Sequence, residues 1–254
     1  MWLAYKYPIF ADKCHKKMSL EKQTLIEENL LKVFSDESFQ EMLSPEDYKN
    51  YLSAKQNLKF HKGETIFEDG GTPNGVYFLK KGTAKLSKQG VYGKEQILRF
   101  IKEGDLIGYR SLLCGEQFQA KAEAMTDVEA TFLPSDIFLH LLEVGPRLSF
   151  VMLQKIAFEL GESSNTVTFL AQKTVRERLA EILLLLEQKL GTDPEGFIKI
   201  SLTREEIANI IGTATESAIR LISEFKQDEL IEVEGRTIKI LNHEKLIKLG
   251  HVTM

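Results

Sequence analysis

Glu216 and Arg220 are the residues of this sequence whose types and spacing best suit direct recognition of a ligand. They lie four residues apart, about one turn, on a predicted helix from Ala214 to Phe225. A carboxylate can accept a hydrogen bond from the amino group of cytosine, and a guanidinium can donate two to O6 and N7 of guanine. The same spacing also suits an intrahelical salt bridge worth ~0.3–0.5 kcal/mol. The two interpretations are compatible, because such a bridge would orient both groups.

This predicted helix has one apolar stripe and one polar face. Ala218, Leu221, Ile222 and Phe225 form the stripe, a pattern typical of a helix buried along one side. The outward positions are Thr213, Thr215, Glu216, Ser217, Ile219 and Arg220. We expect these outward side chains to contact the ligand.

A second short helix must precede it and position it. Thr203 and Glu206 form a Thr-x-x-Glu capping box, small Ala208 lets two helices approach, and Gly212 relieves a sharp turn. Two alternating strands follow within residues 230–240 around a tight turn. This order predicts a winged helix-turn-helix whose second helix enters the major groove of DNA. The alternative is an αα-hairpin in an unrelated small domain.

Positive charge is sparse in this region. Residues 172–254 contain twelve Lys and Arg against fourteen Asp and Glu. Candidates for phosphate contacts, which position a protein without specifying a base sequence, are Arg204, Lys226, Arg236 and Lys239, and the predicted DNA-binding set also includes Thr203. We therefore expect specific, salt-sensitive DNA binding with weak non-specific affinity.

Residues 146–172 predict a long helix with a narrow apolar seam. The seam residues follow spacings of 3, 4, 3, 4 and 3: Leu153, Ile156, Leu160, Ser163, Val167 and Leu170. A seam this narrow predicts a two-stranded coiled coil between two copies of the chain. The alternative is a helix packed along its own domain. Ser163 departs from the apolar pattern, since a hydroxyl there needs a hydrogen-bond partner such as a ligand.

Residues 55–133 differ in character, because glycines separate short segments rich in β-forming residues. Residues 76–79, 83–86 and 96–101 are such segments, and residues 120–124 and 128–132 alternate small or apolar with polar residues. This pattern predicts a small antiparallel sandwich or barrel.

The segment Ser44-Pro45-Glu46-Asp47 predicts a helix start. The predicted class is α+β, with an N-terminal helical extension (1–40), a jelly-roll-like antiparallel β-roll (41–145), a dimerisation helix (146–172) and a C-terminal winged helix-turn-helix domain (173–254).

Composition excludes several classes of protein. The chain has 254 residues, with 33 basic and 37 acidic side chains and a net charge of −4. No apolar run approaches the ~18 residues that cross a bilayer, and the first seventeen residues do not resemble a signal peptide. Met18 is an alternative translation start to Met1. Without a Gly-rich phosphate loop, a metal-spaced His/Cys set or a Gly-x-Ser-x-Gly elbow, we predict a cytoplasmic protein that is not an enzyme.

The chain resembles the Crp/Fnr family of bacterial transcription regulators. The matching segments are Gly104-Asp105-Leu106-Ile107-Gly108 in the roll and residues 203–220 in the DNA-binding module. Within the second helix, Glu216 and Arg220 match the family's base-reading glutamate and arginine, whereas Thr215 replaces an arginine of the cyclic-AMP type. The resemblance implies a homodimer that binds double-stranded DNA at inverted repeats with a TGA-like core and recruits RNA polymerase. The alternative from another class is an effector-binding module whose helical tail contacts proteins.

The effector region departs from the cyclic-AMP-binding members. Tyr109 stands where they have a glutamate, and Gln119-Ala120 stands where they have the arginine–serine pair that holds the phosphate. Losing that arginine removes a charge-assisted interaction worth ~1.5–3 kcal/mol, so cyclic AMP is not expected. Ser163-Ser164 resembles the pair that contacts adenine. The candidate effector pocket is Gly108, Tyr109, Arg110, Ser111, Gln119, Ala120, Lys121, Ser163 and Ser164.

Other effectors stay open at this stage. Arg110 and Lys121 are candidates to bind an anion from other directions, although the simpler interpretation of Arg110 is a surface residue. The chain has two cysteines, Cys14 and Cys114, and Cys14 alone cannot supply the N-terminal cluster of an iron–sulfur centre. His61 and His140 leave a haem-binding branch possible, and we predict no metal site.

Overall fold

The computed structural model describes residues 25–26, 28–90 and 93–252. Met18 and Cys14 lie outside these residues. The chain divides into two compact units, one of which ends at Leu160 while the other begins at Gly161. No helix of the described part is long and apolar enough to cross a membrane.

The first unit contains two four-stranded antiparallel sheets. The strands are β1 (Gln56–Phe60), β2 (Thr65–Phe67), β3 (Gly75–Lys81), β4 (Ala84–Gln89), β5 (Glu95–Ile101), β6 (Leu106–Ile107), β7 (Lys121–Ala124) and β8 (Val128–Pro134). One sheet has the order β1-β8-β3-β6 and the other β2-β7-β4-β5. Leu79, Ala84, Ile101 and Val128 belong to one buried cluster drawn from both sheets. The predicted antiparallel β-roll is confirmed.

Helices close one side of this roll. They are α1 (Asp36–Met42), α2 (Pro45–Ala54), α3 (Tyr109–Cys114) and α4 (Ser135–Val144). Ser44 caps α2 by accepting from the Asp47 N–H, with proline in the first turn, as the sequence predicts.

Residues before position 40 belong to the same core. Leu30, Val33 and Phe39 are buried with Phe78 of β3 and Phe138 of α4. The described part of the predicted extension is therefore not separate from the roll, because its apolar side chains have their partners there.

A long helix, α5 (Pro146–Gln172), follows α4. Leu148, Val151, Met152 and Lys155 are its buried residues. They form a stripe that differs from the predicted seam.

The second unit contains the end of α5 together with α6 (Val175–Leu190), α7 (Arg204–Ile211), α8 (Thr215–Gln227), the hairpin β9 (Ile231–Glu234) and β10 (Thr237–Ile240), and α9 (His243–Leu249). A helix follows the hairpin, where the sequence analysis identifies only the two strands. Asn242 caps α9 by accepting from the Lys245 N–H, and Leu246 is fully buried. This Asx cap and its buried leucine add a helix that the strand pattern did not indicate.

Candidate nucleic-acid interface

The capping box of α7 forms as predicted. Thr203 Oγ1 accepts from the Glu206 N–H at 3.1 Å, and Glu206 Oε2 accepts from the Thr203 N–H at 2.8 Å. Two backbone donors at the helix start are thereby satisfied, which fixes where α7 begins.

Gly212 ends α7 in the left-handed conformation, with φ 63° and ψ 53°. The Thr213 N–H then donates to the Ala208 carbonyl at 3.0 Å, which closes the turn between the helices. Ala208 on α7 and Ala218 on α8 are both fully buried. Small side chains at both positions suit a close approach of the two helices.

Helix α8 presents one face to the core and the opposite face to solvent. Ala218, Leu221, Ile222 and Phe225 are buried, as the apolar stripe predicts. Glu216, Ile219 and Arg220 are exposed, while Thr213, Thr215 and Ser217 are half-buried. The side chains of the exposed acid and guanidinium, one turn apart, can therefore reach a common ligand surface.

The possible salt bridge between Glu216 and Arg220 is not formed in the described part of the chain. Arg220 Nε lies instead 3.9 Å from Glu224 Oε1, one turn further on, and its side chain is 74% exposed. Such an exposed, long contact contributes little. Both base-reading candidates are thus available to an external partner.

Arg176 of α6, which sequence reasoning missed, holds the far end of α8. Its guanidinium donates to Glu224 at 2.7 Å and Asp228 at 2.8 Å, and it lies 5.1 Å from the centre of the Phe225 ring. These contacts join the C-terminal half of α8 to α6. Arg176 is therefore a positioning residue for the exposed face of α8.

The wing forms as predicted, but two of the four predicted phosphate contacts, Arg204 at the start of α7 and Lys239 of β10, face other residues of the chain. Arg204 Nη2 donates to the Gly235 carbonyl at the hairpin turn, 3.3 Å away. Lys239 lies 3.6 Å from Glu232 and over the Phe197 ring. Arg236 in the turn and Lys226 near the end of α8 are exposed, as a phosphate contact requires. The charges in the sequence do not distinguish the exposed pair, Lys226 and Arg236, from the pair that contacts the chain itself, Arg204 and Lys239. The distinction depends on neighbours that only the folded structure brings together.

The predicted seam of α5 is largely exposed. Leu153, Leu160 and Val167 are 61%, 69% and 68% exposed, Ile156 is 39% exposed, and Phe150, which the seam did not include, is 61% exposed. Ser163 is exposed and Leu170 is half-buried. The first part of the helix packs against the roll core through Leu148, Val151 and Met152 and still leaves this apolar face in solvent.

The candidate effector residues differ in exposure, and Arg110, Gln119 and Lys121 contact other polar side chains of the chain. Arg110 lies 3.5 Å from Glu116 on the surface, and Lys121 lies 2.9 Å from Glu123. Gln119 accepts from Lys88 at 3.4 Å. Ala120 is half-buried, Ser111 is buried, and Ser163 and Ser164 are exposed on α5. Each of the two predicted anion-binding cations thus faces a carboxylate.

Gly108 and Tyr109 lie at the start of α3. Gly108 has φ 88°, a conformation that glycine adopts without strain, and it precedes the helix as its N-cap. Tyr109 is buried, and its hydroxyl donates to Glu159 of α5 at 2.5 Å. Burial, with the neighbouring Glu159 carboxylate, raises the pKa of Tyr109, so the phenol stays protonated as a donor.

The two histidines considered for haem each lie near a carboxylate. His140 Nε2 is 3.1 Å from Asp47, and His61, on the surface, is 3.6 Å from Asp127. In the described ranges, no three His, Cys, Asp or Glu side chains are grouped to hold a metal ion.

Comparison with known proteins gives the same two modules. The cyclic nucleotide-binding domain matches residues 57–144, and the Crp-like helix-turn-helix domain matches residues 177–249. The chain is 30% identical over 195 residues to the fumarate and nitrate reduction regulatory protein of Vibrio cholerae, covering 76% of this chain and 77% of that protein. It is 27% identical to the CRP-like cAMP-activated global transcriptional regulator of Mycobacterium tuberculosis, covering 76% and 87%.

Solved structures share the fold. A transcriptional regulator of the CRP/FNR family from Thermus thermophilus is 24% identical, with a TM-score of 0.67, covering 78% of this chain and all of that one. The β-roll, the winged helix-turn-helix and the exposed face of α8 define a DNA-binding transcription regulator. The chain belongs to the Crp/Fnr family.

Proposed function

We propose that the chain binds inverted-repeat operators as a homodimer, with α8 of each copy in a major groove. The observation that carries this proposal is the exposure of Glu216 and Arg220 on one face of α8, while its opposite face is buried. Arg220 would donate to a guanine and Glu216 would accept from a cytosine, each discriminating by ~1–3 kcal/mol.

The exposed seam of α5 supports the homodimer. Leu153, Ile156, Leu160 and Val167 leave apolar area in solvent along one face of α5, and removing such area from water releases ~25 cal/mol per Å². A second copy offers the same seam, so a two-fold interface is self-complementary. Two recognition helices related in this way would lie about 34 Å apart, one turn of B-DNA. Light scattering of the full chain should give the mass of a dimer at micromolar concentration, and a monomer there would contradict the proposal.

Regulation would follow from binding near promoters. Family membership favours contact with RNA polymerase, and a chromosome-binding regulator works in the cytoplasm. We assign no catalytic step to the chain.

Selection of duplexes from a random library by the full chain tests the proposal. Enriched sequences should contain an inverted repeat, and Arg220→Ala should lower affinity for it by about 1–3 kcal/mol while relaxing one base position in each half-site. Arg110→Ala is the matched control, since Arg110 is an exposed arginine in the other unit. If no sequence is enriched, or Arg220→Ala binds like the parent chain, the helical tail serves protein contacts instead.

A further inference from the structure

Five polar side chains meet inside the roll unit where Tyr109 contacts α5. We call them the roll cluster: Arg99 of β5, Asp105, Tyr109 of α3, and Lys155 and Glu159 of α5. Glu159 accepts from Arg99 at 2.6 Å and from Tyr109 at 2.5 Å. Lys155 Nζ lies 3.1 Å from Glu159 and 3.6 Å from Asp105.

The cluster is shielded from water and electrically balanced. The side chains of Lys155 and Asp105 are both 7% exposed, and those of Arg99 and Glu159 are 31% and 26% exposed. Two cations oppose two carboxylates, and the fifth member is a neutral phenol. Although burial acts to raise it, Arg99 and Lys155 hold the pKa of Glu159 below its ordinary value, so Glu159 remains a carboxylate at neutral pH.

This balance disfavours an anionic effector. A cyclic phosphate brought to the cluster would have to displace Glu159 from Arg99 and would lie near two fixed carboxylates. Like charges at such distances repel strongly where water is excluded. The predicted alternative cations do not compensate, because Arg110 and Lys121 face Glu116 and Glu123.

The cluster also fixes the long helix to the roll. Lys155 and Glu159 alternate along α5 with the exposed seam residues Leu153, Ile156 and Leu160. Glu159 is held by Arg99 of β5 and Tyr109 of α3, and Lys155 lies near Asp105. These contacts set which face of α5 is turned outward. In other words, the chain's own ion pairs make the connection between roll and helix that a bound ligand could make.

We infer that the roll cluster takes the place of a small-molecule effector, so that the chain binds its operator without one. This inference rests on the proposed DNA-binding function and specifies its regulation. The juxtaposition that carries it is the contact of Arg99 and Tyr109 with Glu159.

The test uses the purified full chain and its selected operator. Denaturing extraction and mass spectrometry should find no retained small molecule. Cyclic AMP or cyclic di-GMP at about 1 mM should leave the melting temperature unchanged. The operator Kd should stay within about twofold of its value without nucleotide. Glu159→Gln should weaken operator binding about tenfold, within the usual range of coupling between sites. Glu162→Gln, an exposed carboxylate on the same helix, is the matched control and should bind like the parent chain.

A conservative pair of variants separates the ion pair from simple folding. Arg99→Lys keeps a cation opposite Glu159 and leaves Lys155 facing its carboxylates, so it should retain most of the operator affinity, whereas Arg99→Gln should lose about tenfold. This comparison decides the question even if Glu159→Gln fails to fold, and an Arg99→Lys chain that binds no better than Arg99→Gln would contradict the inference.

Other outcomes distinguish this inference from the proposed function. A retained ligand, or a nucleotide that strengthens operator binding more than about tenfold, overturns the inference and leaves the regulator intact. Normal operator binding by Glu159→Gln also overturns it. If no duplex is ever bound, the proposed function fails. In that case, a nucleotide that raises the melting temperature by several degrees would overturn the inference that the roll cluster replaces an effector. An unchanged melting temperature with no retained molecule would support the inference.

Discussion

Charged side chains in the two units are arranged in opposite ways. On α8, Glu216 and Arg220 stand in solvent, and the contact of Arg220 with Glu224 is long. In the roll cluster, Arg99 and Lys155 are held against Glu159 within 3.1 Å. Exposed, unengaged groups keep their hydrogen-bonding capacity for a partner, whereas buried groups must satisfy one another within the fold. The contrast indicates that the protein contacts its ligand, DNA, through α8, and that the roll cluster takes the place of a second ligand.

Removing a carboxylate from the roll cluster should produce the largest effect. Asp105→Ala leaves Lys155 buried with one carboxylate instead of two and removes the acceptor of the Lys102 N–H. Breaking a buried pair by deleting one partner should lower the free energy of unfolding by about 3 kcal/mol. Urea titration followed by circular dichroism measures this change.

Glu116→Ala provides the control, since its pair with Arg110 is on the surface. It should change the free energy of unfolding by less than about 1 kcal/mol. Equal stabilities of Asp105→Ala and Glu116→Ala would remove the distinction between the two regions.

An intermediate effect, confined to DNA, is expected at Glu216. Glu216→Ala should lose about 1–3 kcal/mol of discrimination at one base pair, because a cytosine amino group loses its acceptor. Stability should fall by less than about 1 kcal/mol, the contribution of an exposed acid in the first turn of a helix. Competition binding with single-base operator variants measures the first quantity, and thermal melting the second.

Glu205→Ala matches this change at the start of α7, where an exposed acid also occupies the first turn. It should alter stability similarly and leave base preference unchanged. A shared loss of base preference would indicate that removing negative charge from this unit, rather than losing a base contact, is responsible.

The two regions also differ in how far the sequence predicts them. The capping box of Thr203, the turn at Gly212 and the stripe of α8 depend on residues three or four apart, and local rules found all of them. The roll cluster joins Arg99 to Glu159 across sixty residues of chain, a contact that only the packing of β5 against α5 creates. One signal was available: Lys155 follows Leu148, Val151 and Met152 at helical spacing, so a lysine lies on the buried stripe. A charge on such a stripe predicts a partner without identifying it.

The smallest expected effect separates the roles of two arginines near the hairpin turn. Arg204 donates to the Gly235 carbonyl, whereas the exposed Arg236 lies in the same hairpin turn. Arg204→Ala should reduce stability by about 1 kcal/mol through the lost hydrogen bond, and operator binding should weaken equally at every salt concentration. Arg236→Ala should instead lower the salt dependence of log Kd by about one unit, because a phosphate contact releases a counterion. Operator titrations between about 50 and 200 mM salt compare the two slopes. A reduced slope for Arg204→Ala would return Arg204 to the phosphate-binding role that its charge alone predicts, and both arginines near the hairpin turn would then contact DNA.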